Sequence, residues 1–301
     1  MSYVRLLPVR RTARATTRTL AERVRRAKSG VRQRVEWEGC PVQAWVNGHI
    51  VTDPDAPAVA VTDRGFTVGA GVFETLKVLD GTPFALTRHL ARLNHGAAVL
   101  GIDSPDDALV RRGVAEVLAA EAHPLQRLRI TWTGTTLAIT STAFASYSPT
   151  TAIVTSPWPR NERSPLVGIK STAFAENILS TAHAAKHDAG EAILANLNGD
   201  LCEGAGSNIF YVLDGELRTP TLESGCLPGV TRDLVLEWFG AREVDAPLGV
   251  LLEADEVFLA SSTRNVQGVH AIDGRALGAP GPVTTEVARV WAEREAQSLD
   301  P

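Results

Sequence analysis

The sequence predicts a two-domain protein of mixed α+β and α/β class, and three observations carry that prediction. The 301 residues are enough for two separate cores. From residue 42 onward, short alternating runs end in Asn-Gly and Asp-Gly turns, a signal of antiparallel strands rather than of strict strand–helix alternation. Residues 157–168 are rich in Pro, Arg and Asn, the composition of a connection between domains. The expected organisation is a basic, disordered extension over 1–40, an α+β domain over 41–157, a linker over 158–168 and a second domain over 169–301.

Along the chain, residues 43–50 read as a hairpin turning at Asn47-Gly48, and 59–61 as a short strand running into the turn Asp63-Arg64-Gly65. Residues 72–79 form a strand closed by Asp80-Gly81. Thr87 is placed to cap a helix over 89–100. A second helix follows Ser104-Pro105, with Asp106 and Asp107 at its positive end. Strands are expected over 127–133, 137–140 and 151–155. Beyond the linker come a helix to His187, strands at 191–195, 201–203, 207–213 and 216–219, and a helix over 233–239 opened by Leu227-Pro-Gly229. Strands at 256–260 and 267–272 and a helix over 283–297 complete the series.

Hydrophobic content of 44% and charged content of 21% are those of a soluble globular protein. No apolar run approaches the ~18–20 residues of a membrane span, and no secretory leader is apparent. Cys40, Cys202 and Cys226 are scattered and odd in number, which suits a reducing cytoplasm. Residues 1–36 hold eleven Lys/Arg against Glu22 and Glu36, a balance of +9. The remainder of a chain of net charge −4 therefore carries −13. Without interleaved aromatic residues, this head reads as an extension rather than a nucleic-acid or membrane arm.

Metal and hydrolase chemistry find little support. His183 and His187 share a helix face, but no third ligand or intervening glutamate accompanies them. Gly-x-Ser-x-Gly, Walker A and Gly-x-Gly-x-x-Gly patterns are missing. Lys170 stands out instead: a lone lysine at the mouth of a helix, wedged among small residues. A desolvated amine there has a lowered pKa and can act as a nucleophile or Schiff-base former. The run from loop to helix at Gly229-Val230-Thr231 suits a phosphate monoester. Ser262 and Thr263 offer a second hydroxylated arm, and Arg64 a bidentate partner. Glu203, at an apolar strand end, wants a cation if it is buried.

Several motifs occur in a fixed order: Asp63-Arg-Gly-Phe-x-x-Gly69-x-Gly71-Val-Phe-Glu-Thr75, the Lys170 block, Asp200-Leu-Cys-Glu203-Gly-Ala-Gly-Ser207-Asn208, Leu227-Pro-Gly-Val-Thr-Arg232 and Glu256-Val-Phe-Leu-Ala-Ser-Ser262. From about residue 42 to the end, the chain resembles the class IV aminotransferases, the fold-type IV pyridoxal-phosphate enzymes. That family includes branched-chain and D-amino acid aminotransferases and aminodeoxychorismate lyases. The resemblance implies two domains with pyridoxal 5'-phosphate between them, a small-molecule amine as substrate, and a homodimer. It implies that Lys170 carries the cofactor and that Glu203 pairs with the pyridinium nitrogen. Arg64, Ser207, Asn208, Gly229, Val230, Thr231, Ser262 and Thr263 would surround the cofactor, and Arg129 or Arg264 would meet a substrate carboxylate.

Departures bear on the substrate. Ala70 replaces the family's central Asp, Phe174 stands near a frequent tyrosine, and Thr133-Gly-Thr135 replaces an Arg-x-His clamp. The pattern looks most like aminodeoxychorismate lyases. The expected reaction is elimination of pyruvate from 4-amino-4-deoxychorismate to give 4-aminobenzoate for folate synthesis. The alternative is an aminotransferase for branched-chain, hydrophobic or D-amino acids. A silent relative or nucleic-acid-associated protein is a third reading, opposed by the retention of Lys170, Arg64 and Glu203.

Overall fold

The computed structural model describes residues 42–53 and 56–301, and the basic head lies outside the described residues. The antiparallel signals of the first half produce one sheet. Strands β1 (Gln43–Val46) and β2 (His49–Val51) form the expected hairpin. Strands β3 (Val72–Leu79), β4 (Thr82–Pro83), β5 (Leu125–Trp132) and β6 (Leu137–Ala143) join them in the order β2-β1-β6-β5-β3-β4, antiparallel throughout. Helices α2 (Leu86–Val99) and α3 (Asp107–Ala120) contribute to the core beside it. Leu90, Leu93, Val110 and Val114 join Trp45, Leu76, Leu128 and Ile139 there. The buried Trp45 indole N–H is satisfied by Glu116 at 2.6 Å.

Two local expectations change. Residues 59–61 form no strand. The chain instead enters a short helix, α1 (Arg64–Val68), capped by Asp63. The Asp63 carboxylate accepts from Gly65 N and Phe66 N and from the hydroxyls of Thr133, Thr135 and Thr136. Burial alone would raise its pKa, but these donors hold it at about 2. Thr87 is no cap either. α2 begins at Leu86 after Ala85 in the left-handed region, and Thr87 bonds through N–H and hydroxyl to Asp300. A partner this distant in sequence cannot be read locally.

The second sheet is mixed. It contains β7 (Thr150–Thr155), β8 (Glu191–Ala195), β9 (Leu201–Gly204), β10 (Asn208–Leu213), β11 (Glu216–Thr219), β12 (Arg242–Glu243), β13 (Glu256–Ser261) and β14 (Asn265–Ile272). Their order is β12-β11-β10-β13-β14-β7-β8-β9, with β15 (Arg275–Ala276) on β14. β7, grouped by the sequence reading with the first half, is therefore hydrogen-bonded into the second sheet. It pairs in parallel with both β8 and β14. A parallel pair needs a crossover, and residues 156–190 supply it, with helix α4 (Ala175–Lys186) inside. Helices α5 (Val230–Trp238) and α6 (Pro282–Gln297) share a core with Phe210 and Phe258. A separate cluster of Ile209, Tyr211 and Leu259 packs with Leu251 of the 3-10 turn Leu248–Leu252.

The α6 N-terminus is held by Glu256. Its carboxylate accepts from Val283 N at 3.0 Å, Thr284 N at 2.8 Å and the Thr284 hydroxyl at 2.7 Å. A β-carbon at Gly281 would lie 2.2 Å from Glu256 Cδ, so a side chain there would push the carboxylate off this cap. Glu256→Ala is expected to lower stability by about 1–2 kcal/mol, the scale of a lost helix cap. Urea unfolding would show it, and a change within error would mean that water replaces the carboxylate.

Candidate active site

A cavity of about 450 Å³ lies between β3, the crossover, β9, the N-terminus of α5 and the turn after β13. The crossover is docked on β3 by its backbone. Phe73 N–H donates to the Lys170 carbonyl at 2.9 Å, Thr172 N–H donates to Gly71 O at 2.8 Å, and Val72 bridges Ser171. Lys170 is thereby fixed on the wall. Its Nζ lies 4.7 Å from the Phe73 ring centroid and 5.5 Å from that of Phe174. Burial first, and then the positive charge of Arg92, bring the Lys170 amine down to about 8.

Glu203 ends β9 and is buried. One oxygen accepts from Leu227 N–H at 2.9 Å, and the other meets Arg160 Nη2 at 3.0 Å. Burial nevertheless raises its carboxyl above the usual range. A buried carboxylate this incompletely compensated is suited to a further cation.

Two residues beyond Leu227, the cavity wall is formed by the N-terminus of α5. Gly229 caps α5, whose first N–H groups are free of helical partners. A β-carbon on Gly229 would sit 2.0 Å from Asn208 Oδ1, so a side chain there would displace the Asn208 amide. Asn208 Nδ2 in turn holds the Leu227 carbonyl at 2.8 Å. Val230, Thr231, Ser262 and Thr263 line the same cavity. Ser207 lines it too, but its hydroxyl is committed to Glu191 at 3.1 Å.

Three expected residues are placed elsewhere. Arg64 is an exposed residue of α1 and is not on the cavity lining. The arginine beside the α5 N-terminus is Arg92 of α2. It grips Glu74 through Nε at 2.8 Å and Nη2 at 2.6 Å, and the Pro228 carbonyl through Nη1 at 2.9 Å. Arg264 turns away from the lining, onto Gly190 O at 2.8 Å, Glu191 and the Tyr147 ring. Arg129 is off the lining but near it, its guanidinium 3.8 Å from the Phe73 ring centroid. Sequence reasoning missed Arg92, Arg160, Glu74 and His89. The available signal was the pair His89 and Arg92, three residues apart on a helix that otherwise buries leucines.

The family model for amino-transferase class IV matches residues 71–272. The chain belongs to this family. A D-alanine aminotransferase from Bacillus licheniformis is 30% identical over 264 residues, covering 80% of this chain and 93% of that protein. The branched-chain aminotransferase of Thermoproteus uzoniensis, solved with norvaline, superposes with a TM-score of 0.77 at 27% identity. It covers 85% of this chain and 94% of that one. A fold IV-transaminase from Curtobacterium pusillum matches with a TM-score of 0.73 at 29% identity, covering 83% and 93%.

The fold is thus that of the fold-type IV pyridoxal-phosphate enzymes, and the cofactor of class IV aminotransferases is pyridoxal 5'-phosphate. The residues present fit it. The molecule has an aldehyde, a basic ring nitrogen and a phosphate; the cavity holds a lowered lysine amine, an under-compensated carboxylate and a helix N-terminus beside Arg92. Among the described residues, no helix is long and apolar enough to cross a membrane.

Proposed function

We propose that this enzyme is a pyridoxal-phosphate aminotransferase acting on a small hydrophobic or D-amino acid with a 2-oxo acid partner. The observation that carries the reading is Lys170: a desolvated amine facing Glu203 and an anion cradle across one cavity, in a chain whose relatives named above are aminotransferases. Bound pyridoxal phosphate supplies an electron sink for the bond broken at the substrate carbon. Lys170 Nζ holds the cofactor and then, once released, moves the proton at that carbon. Glu203, oriented by Arg160 and Leu227 N–H, keeps a positive charge on the ring nitrogen. Arg92 with Gly229, Val230, Thr231, Ser262 and Thr263 receives the phosphate, and Ser207 and Asn208 support the walls. Arg129, beside Phe73, is the candidate partner for a substrate carboxylate.

The lyase reaction on 4-amino-4-deoxychorismate stands second, and one experiment separates the two. The purified enzyme is mixed with an amino acid and no 2-oxo acid. Loss of the visible absorption band, with its return on adding a 2-oxo acid, supports transamination. A band unchanged while aminodeoxychorismate yields aminobenzoate supports the lyase. Absence of a borohydride-trappable band sinks both.

Lys170 also sets a pH dependence. Only the neutral amine attacks, and its pKa sits near 8 rather than 10.5. Cofactor uptake by the apoprotein is expected to speed up from pH 6, reach half its limit near pH 8 and level off above about 9. A midpoint near 10 in stopped-flow absorbance would mean that the amine is solvated. We also infer a homodimer, since Val61, Phe66 and Val68 are exposed beside the crossover contact and want a cover. Light scattering tests it. The buried free thiols Cys202 and Cys226 accord with a cytoplasmic location.

A further inference from the structure

Glu74, on β3, has no exposed surface. One of its oxygens accepts from Arg92 Nε, and the other from Arg92 Nη2 and from His89 Nδ1 at 2.6 Å. Burial would raise the carboxyl, but the charge of Arg92 and the hydrogen bonds from Arg92 and His89 hold it at about 2. Glu74 is therefore ionised and can only accept, so His89 Nδ1 carries a hydrogen. The open question at this ring is Nε2, which lies 3.3 Å from Ser262 Oγ on the cavity wall.

Two arrangements satisfy that contact. With a neutral ring, Nε2 accepts the serine O–H, and the serine lone pairs face the cavity. With a protonated ring, Nε2–H donates to Ser262 Oγ, and the serine O–H is free to donate into the cavity. A phosphate oxygen is an acceptor, so only the second arrangement receives it. The charged groups facing the ring are Glu74 from β3, Arg92 from the same helix and Lys170 from the crossover. Burial, Arg92 and Lys170 oppose a charge on His89, while Glu74 favours it. Asp233 of α5 and Glu203 act on Arg92. A phosphate monoester brings about −1.5 to −2 charges to this end and reverses the balance.

We propose that His89 is a proton-carrying positioning residue: neutral when the cradle is empty, it takes one proton from solvent as a phosphate monoester binds, turning the Ser262 hydroxyl toward the phosphate. This rests on the reading above that a phosphate occupies this end of the cavity. Binding of the phosphate is then linked to uptake of one proton at His89.

The test is equilibrium binding of pyridoxamine 5'-phosphate to the apoprotein between pH 6 and 9, followed by tryptophan fluorescence. This probe has no aldehyde to react with Lys170. Wild type and His89→Gln are compared, because glutamine can donate to Ser262 without taking a proton. The ligand's own titrations are common to both proteins and cancel. Where the histidine is neutral in the free protein, wild-type affinity is expected to fall by ~tenfold per pH unit relative to the variant, the slope for one linked proton. Equal slopes in two proteins that both bind would overturn the proposal and leave the cofactor site standing. Failure of both to bind, with Lys170 unlabelled by pyridoxal phosphate and borohydride, overturns the proposal together with the reading beneath it. Should the variant not fold, the nitrogen spectrum of 15N-histidine wild type decides. The most exchange-protected imidazole must gain a proton at Nε2 when the ligand is added, and an unchanged Nε2 refutes the idea.

Discussion

Lys170→Ala is expected to lower turnover by at least about 10³-fold, the scale of losing a nucleophile that also transfers the proton. The fold should survive. The crossover is anchored by the Lys170 carbonyl and by Thr172, neither of which the substitution removes. The side chain it deletes is a desolvated amine between two rings, whose burial costs stability rather than adding to it. Lys170→Arg should be as inactive, because a guanidinium does not deprotonate. The measurement is a single-turnover assay with mass analysis after pyridoxal phosphate and borohydride. A variant retaining a tenth of wild-type turnover would show that some other group moves the proton.

Glu74→Ala carries the largest expected loss of stability, about 3–5 kcal/mol, because it leaves Arg92 and His89 buried without their common acceptor. Urea unfolding at neutral pH reads it directly. The pH dependence has a definite sign. The folded carboxyl sits at about 2, below its ordinary 4.5, so its contribution is complete above about 4.5 and disappears as the pH falls toward 2. The acid limb of the wild-type stability curve should therefore be steeper than that of the variant. Parallel limbs would mean that Glu74 is not charged in the folded protein. A Glu74→Ala loss under 1 kcal/mol would mean that Arg92 finds other partners at no cost.

Local chemistry made much of this molecule legible. The hairpins announced themselves through Asn47-Gly48 and Asp214-Gly215, whose first residues adopt positive φ. Lys170, Glu203 and the Gly229 loop were visible because each breaks a local pattern: a charge among small residues, a carboxylate in an apolar strand, a glycine where a helix begins. What failed was long-range. Arg92 lies three residues from His89 on a leucine-burying helix, but its partners Glu74 and Pro228 come from elsewhere in the chain. Arg64 was suggested by its Gly-flanked turn and by the family motif around it, yet that glycine serves the Asp63 cap. Arg264 followed two cavity hydroxyls in sequence, but the tight β13–β14 turn sends it back to Glu191. The sheet membership of β7 was hidden for the same reason, since parallel partners leave no turn between them to be read.

The position of β7 between β8 and β14 also sets an order of events during synthesis. All strands of the first sheet lie within residues 43–143, so they are available early and pair locally. β7 follows at once, yet one of its two neighbours is β14, residues 265–272. Until that segment leaves the ribosome, the second sheet has an open seam beside the crossover, and the turn bearing Ser262 and Thr263 has no place to settle. A nascent chain thus lacks one wall of the cavity until β14 has emerged.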